Sequence, residues 1–249
     1  MQVILRVKRQ RGPEDRPYWQ EFSCEAGPDA SVLSLLEEIN SRSPLTDAAG
    51  AAAEAIAFES GCRQMGCGAC AMLIDGYPRL ACSTFLRQLK LKEGVVTVAP
   101  LSKFPLLRDL RVDRSALTQD VKRMKLWLNA DAVVDKKELP YAYQSASCLM
   151  CGCCAEICPN YKAGTAATGS AFTGAAVMNQ AYRAASQYPP GKERRRLLKE
   201  NVAAGQGHCS RTLSCLKVCP LELPLDYIIS RGSHMYLKSR FERDKRHEK

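Results

Sequence analysis

Thirteen cysteines in 249 residues, most of them in three tight groups, constrain this chain more than any other feature. Four fall at Cys62, Cys67, Cys70 and Cys82, and eight fall between Cys148 and Cys158 and between Cys209 and Cys219; Cys24 stands alone. An odd count, a long chain and the adjacent Cys153 and Cys154 argue against a disulfide scaffold. The N-terminal MQVILRVKR lacks the apolar core and small-residue cleavage site of a signal peptide, so the expectation is a reducing cytosol. Metal ligation is then the leading use of the thiols.

The first group reads Cys62-x4-Cys67-x2-Cys70 with Cys82 after eleven further residues, the spacing of a plant-type [2Fe-2S] ferredoxin. Three ligands crowd together because a loop wraps the cluster, and the fourth comes from beyond a hairpin. Gly61, Gly66 and Gly68 suit a loop that must turn backbone N–H groups towards sulfur. Structural zinc favours paired Cys-x2-4-Cys knuckles over this asymmetric loop.

The second group, Cys148-x2-Cys151-x2-Cys154-x3-Cys158-Pro159, is the bacterial ferredoxin run, whose fourth cysteine serves another cluster. Its counterpart is Cys209-x5-Cys215-x3-Cys219-Pro220, the same run with Thr212 in the second cysteine's place. Pairing across the runs assigns Cys148, Cys151, Cys154 and Cys219 to a [4Fe-4S] cluster. Cys158, Cys209 and Cys215 remain for the other site, and because a hydroxyl is a poor iron ligand beside thiolate, that site is expected to hold [3Fe-4S]. Cys153 and Cys24 are left as packed core thiols.

Residues 1–105 read as a mixed α/β [2Fe-2S] domain. Val3, Leu5 and Val7 alternate as a strand does, and Tyr18 to Glu25 is a second extended run. Asp29 is placed to cap a helix with Val32, Leu35, Leu36 and Ile39 on one face. Met72 to Ile74, Asp75-Gly76 and a short run to Cys82 predict a hairpin, and Val95 to Val98 predicts a closing strand. Residues 106–249 read as helical, without strand signals. Leu117, Val121, Met124, Trp127 and Leu128 share one helical face; further helices are predicted over Thr173 to Gln187, over Lys192 to Val202 after Pro189-Pro190-Gly191, and from Leu225.

No run approaches the roughly 18 to 20 apolar residues that span a bilayer; the Ala-rich stretch from Ala48 to Phe58 is broken by Glu54 and carries no assignable chemistry. The formal charge of +10 would suggest nucleic acid or an anionic membrane, but three clusters at about −2 each would lower it to roughly +4. The basic stretches Lys192 to Lys199 and from Lys238 read as solvated helix faces, with acidic headgroups or a partner as the second reading. No G-x-G-x-x-G follows a strand, so nothing here resembles a flavin or nucleotide fingerprint.

Gly61-Cys62-Arg63, Cys67-Gly68-Ala69-Cys70-Ala71-Met72, Leu80-Ala81-Cys82 and both Cys-Pro runs resemble the iron-sulfur subunit of succinate dehydrogenase and fumarate reductase. The resemblance reaches from the first strand through Pro224. It implies an α+β chain: a β-grasp, plant-type ferredoxin-like domain followed by an all-α, bacterial ferredoxin-like domain. It further implies an electron path from the FAD of a flavoprotein subunit through [2Fe-2S], [4Fe-4S] and [3Fe-4S] to a quinone. A haem-bearing membrane anchor would hold the chain peripherally on the cytoplasmic face of the cell membrane, and no substrate chemistry would occur on this chain.

Two positions depart from the ubiquinone-linked pattern, which has tryptophan and histidine where this chain has Ala163 and Ser210. The Cys158-Pro159-Asn160 context is similar to menaquinone-linked relatives. His208, beside Cys209, is either a substitute quinone contact or an ordinary surface or core histidine. The neighbouring alternative is the iron-sulfur subunit of a related flavoprotein reductase, such as a thiol-coupled fumarate reductase. The distant alternative is a nucleic-acid-binding protein with structural metal sites, distinguishable by its salt-dependent affinity.

Overall fold

The computed structural model describes residues 1–129, 131–133, 135–162 and 172–241. In chain order the strands are β1 (Gln2–Arg9), β2 (Tyr18–Glu25), β3 (Ala71–Ile74), β4 (Tyr77–Leu80), β5 (Val95–Ala99), β6 (Leu106–Arg108) and β7 (Arg111–Val112). The helices are α1 (Val32–Ser41), α2 (Ser115–Arg123), α3 (Leu139–Ala146), α4 (Cys153–Ile157), α5 (Gly174–Gln187), α6 (Lys192–Ala204), α7 (Ser214–Lys217) and α8 (Leu225–Ser239). The residues gather into two compact units, one of residues 1–113 with 151–156 and one of residues 114–150 with 157–249. The α+β expectation is met, with a sheet in the first unit and helices in the second.

Alternation builds the sheet. Val3, Leu5 and Val7 of β1 point into the core, and β2 answers with Phe22 and Cys24 in an antiparallel register that sets Leu5 against Phe22. β5 lies parallel to β1, with Ile4 opposite Val95, and antiparallel to β3, which completes the order β2-β1-β5-β3-β4. The β3–β4 hairpin turns on Asp75 and Gly76, both at positive φ (49° and 76°), as the Asp-Gly pair predicts. α1 buries Val32, Leu33, Leu35, Leu36 and Ile39, each worth ~1.5–3 kcal/mol on full burial.

The N-cap of α1 is Ser31, not Asp29: the Ser31 hydroxyl accepts from Ser34 N at 3.1 Å, while Asp29 pairs with Arg87. The strands β6 and β7 also extend the β pattern past residue 106, where only helix was expected. At three and two residues they are too short for alternation to show in the sequence.

In the helical unit α5 is central and buried almost all round, because Ala175, Ala176, Ala181, Ala184 and Ala185 let neighbouring helices approach closely. It packs against α2, α3, α6 and α8, and Tyr182, Ala185, Leu198, Ile228 and Met235 form a shared core. Buried Glu138 ties three helices together: it accepts from the Tyr182 hydroxyl at 2.7 Å and from Arg231 Nε at 2.6 Å, while Tyr141 and Tyr227 stack at 3.7 Å. Burial, with the Glu138 carboxylate next, pushes the Tyr182 phenol well above its ordinary range.

The predicted face from Leu117 to Leu128 is shortened. α2 ends at Arg123, Lys125 turns left-handed (φ 50°), and Trp127 and Leu128 are exposed. Tyr188 explains the break: its hydroxyl donates to Trp127 O at 2.9 Å and receives Asn129 N at 3.0 Å, which holds this stretch outside the helix. The basic face of α6 includes Arg196 ion-paired with Glu193 and Glu200 at 3.0 and 2.9 Å. Among the described residues no helix is long and apolar enough to cross a membrane.

Candidate iron-sulfur sites

The loop after residue 61 gathers Cys62, Cys67, Cys70 and Cys82 through their sulfurs. Gly66 N and Gln64 N donate to Cys62 Sγ at 3.0 and 3.4 Å, and Cys62 N and Ala69 N donate to Cys67 Sγ at 3.4 and 3.5 Å. Met65 N donates to Cys82 Sγ at 3.3 Å and Cys82 N to Cys70 Sγ at 3.5 Å. Such convergence needs unusual backbone: Arg63, Met65 and Gly68 all have positive φ (57°, 59° and 74°). Gly61 leaves little space to spare, since a Cβ there would stand 3.1 Å from Cys67 Sγ. Cys82 sits in the short 3-10 turn Ala81–Ser83, directly after β4.

The thiols are tuned unequally. Backbone N–H groups of Gln64 and then Gly66 lower Cys62 to about 7, whereas burial pushes Cys70 up to about 12. A loop that directs N–H dipoles at sulfur suits the negative charge of a thiolate-bound cluster, and four cysteines with these donors suit [2Fe-2S].

The helical unit brings together a second set. Cys158, Cys209 and Cys215 line a cavity of about 30 Å³ whose wall also includes Thr212 and Met178. Cys215 is pushed up to about 11, first by burial and then by the neighbouring Cys158 and Cys209 thiols. Arg211 N donates to Cys209 Sγ at 3.4 Å, repeating the contact of Gln64 with Cys62 two residues after a cysteine. A three-thiolate cavity with a hydroxyl in its wall suits a cluster lacking one ligand.

Both ferredoxin-type runs share a backbone signature. Met150 and Gly152 are left-handed (51° and 89°), two and four residues after Cys148. Arg211 and Leu213 are left-handed (55° and 56°) at the same offsets from Cys209. Cys151 and Thr212 therefore occupy corresponding places. Of the remaining predicted ligands, Cys151 is buried and Cys154 half-buried in the sheet unit, and Cys148 and Cys219 are half-buried in the helical unit.

Cys24 and Cys153 are fully buried, and burial raises Cys24 to about 11. His208 and Ser210 are exposed and linked through Asn160, whose amide donates to His208 O and accepts from the Ser210 hydroxyl at 3.2 Å. Ala163 lies outside the described residues, as do residues 242–249 of the basic tail. The glycines of the Cys62 loop pointed to N–H groups turned towards sulfur, and Gly66 N is such a donor; Gln64 N and Met65 N carry no residue-type signal and could not be read from the sequence.

The family model of the 2Fe-2S iron-sulfur cluster binding domain matches residues 4–119. The succinate dehydrogenase iron-sulfur subunit of Bacillus subtilis is 32% identical over 231 residues, covering 88% of this chain and 86% of that one. The fumarate reductase iron-sulfur subunit of Wolinella succinogenes is 29% identical, covering 84% and 86%. In the solved Mycobacterium smegmatis Sdh1 complex in the apo form, one chain shares the fold with a TM-score of 0.76 over 97% of this chain and 98% of its own, at 20% identity. The chain belongs to the family of iron-sulfur subunits of succinate dehydrogenase and fumarate reductase.

Proposed function

We propose that this chain relays electrons between an FAD-containing flavoprotein and a membrane quinone, menaquinone on the sequence context of Cys158, and performs no bond chemistry itself. Cys62, Cys67, Cys70 and Cys82 hold [2Fe-2S]; Cys148, Cys151, Cys154 and Cys219 hold [4Fe-4S]; Cys158, Cys209 and Cys215 hold [3Fe-4S]. Bound clusters supply one-electron redox capacity at potentials set by ligands, hydrogen bonds and burial. The protein's part is to bind and orient them: N–H groups of residues 64–66 neutralise sulfur charge, and Met178 with Phe172 walls the three-cysteine cavity with apolar surface. Thr212 leaves one corner of that cavity without a thiolate.

The observation that carries this reading is the repeated left-handed pair after Cys148 and Cys209, which gives the two runs the same backbone turns and supports reading Thr212 in the place of Cys151. Membership of the family supports a flavoprotein and a membrane anchor as partners. A haem-bearing anchor and attachment on the cytoplasmic face complete the proposal. Iron and acid-labile sulfide analysis of anaerobically purified complex tests it: about nine irons per chain are expected, with a paramagnetic oxidised [3Fe-4S] centre. A zinc-dominated preparation without a reducible chromophore would refute it.

A further inference from the structure

The Ala-rich stretch around residues 48–57 forms neither helix nor strand, yet its backbone polar groups still need partners. Over residues 54–57 three side chains supply partners, beside the backbone of Leu110, whose N–H donates to Ala57 O at 3.0 Å. The Arg9 guanidinium donates to Glu54 O at 3.1 Å and to Ala55 O at 3.2 Å. The Asn40 amide exchanges two bonds with buried Ile56, donating to its O at 2.9 Å and accepting from its N at 2.8 Å, as the peptide of a neighbouring strand would. Asp109 accepts from Ala57 N at 2.9 Å. One side chain comes from β1, one from α1 and one from the β6–β7 turn.

Arg9 and Asp109 also pair with each other at 3.1 Å, with side chains only 3% and 2% exposed. Asp109 further accepts from Gln10 N at 3.0 Å, and Arg9 donates to Gln20 Oε1 at 2.7 Å. A buried ion pair is a poor device for stability alone, because desolvation offsets most of the attraction. What this pair does is fix backbone. Five residues beyond Ala57 lies Cys62, whose loop depends on N–H···S contacts of 3.0–3.5 Å. One helical turn before Asn40, Glu37 forms an ion pair with Arg63 at 2.9 Å, so α1 holds the chain on both sides of Cys62.

We propose that Arg9, Asn40 and Asp109 are positioning residues for the [2Fe-2S] site: they hold residues 54–57 so that the Cys62 loop enters in register with Cys82. The proposal rests on the assignment of [2Fe-2S] to Cys62, Cys67, Cys70 and Cys82. Asp109→Asn keeps the shape but turns an amide donor towards Arg9 or Ala57 N and strands a buried cation. Asn40→Ala removes only the two bonds to Ile56 and is the milder variant.

In purified complex, the spin ratio of reduced [2Fe-2S] to oxidised [3Fe-4S] should fall at least about fivefold in Asp109→Asn and about twofold in Asn40→Ala. The [3Fe-4S] signal per chain should hold. Unchanged ratios in both variants would overturn the proposal, as would equal loss of both signals, which would make the three residues general stabilisers. A wild-type protein lacking the [2Fe-2S] signal would instead overturn the cluster assignment beneath it.

Discussion

Thr212 stands between left-handed Arg211 and Leu213 as Cys151 stands between left-handed Met150 and Gly152. A thiol at residue 212 would start from a ligand's backbone position, and the residue already lines the cavity of Cys158, Cys209 and Cys215. Thr212→Cys should raise iron from about nine to about ten per chain and cut the oxidised [3Fe-4S] signal more than about fivefold. Turnover with quinone should slow, and turnover with an artificial acceptor at the flavoprotein should change little. An unaltered resonance would mean that Thr212 does not face the vacant corner.

Gly61 precedes Cys62 and Gly66 lies within its loop, and the two differ in room. A Cβ at Gly61 meets Cys67 Sγ at 3.1 Å, whereas one at Gly66 meets Cys62 Sγ at 3.5 Å, an ordinary contact. Gly61→Ala should weaken [2Fe-2S] retention by about 1–3 kcal/mol, and Gly66→Ala should stay close to wild type. Cluster loss under a chelator challenge, followed by visible absorbance, separates the two.

Cys24 has its thiol raised from 9.0 to about 11, mainly by burial. An acid held protonated in the folded chain contributes fully below its unfolded value; the contribution is lost as pH rises from 9 through about 11, where the unfolded thiol ionises first. Denaturant unfolding of wild type and Cys24→Ala across pH 8 to 11 should show the stability difference shrinking with rising pH. A gap that stays constant would contradict the buried, neutral thiol.

Glu138 holds Tyr182 and Arg231 at once, and its own side chain is 5% exposed. Glu138→Ala should cost roughly 2–4 kcal/mol, less than a fully buried pair because Arg231 keeps partial access to water. Thermal unfolding followed by tyrosine fluorescence would register the loss, with Tyr141 and Tyr227 reporting on the α3–α8 contact.

The sheet was legible because its inward residues alternate cleanly: Val3, Leu5 and Val7 announce β1, and Asp75-Gly76 announces its hairpin. The same alternation continues to Arg9, where a charged side chain takes an inward place because Asp109, a hundred residues on, receives it. No local pattern carries that information. Likewise, Leu117 to Leu128 reads as one helix until Tyr188 ties off its second half. The cysteine positions were plain from spacing. What the sequence withheld was the backbone handedness at Arg63, Met65, Arg211 and Leu213, since none of these residue types favours positive φ.

The parallel pairing of β1 with β5 also sets a timetable for synthesis. β1 can form a hairpin with β2 as soon as both have left the ribosome, but its other edge stays open until some ninety residues later, when Val95 to Val98 emerge. The helical unit waits longer still, because Ile228, Met235 and Arg231 all lie on α8, which is made after the other described helices of that unit. Vectorial folding therefore closes the sheet first and seals the helical core last, and a nascent chain stalled before Leu225 would leave Glu138 and Tyr182 without their cation.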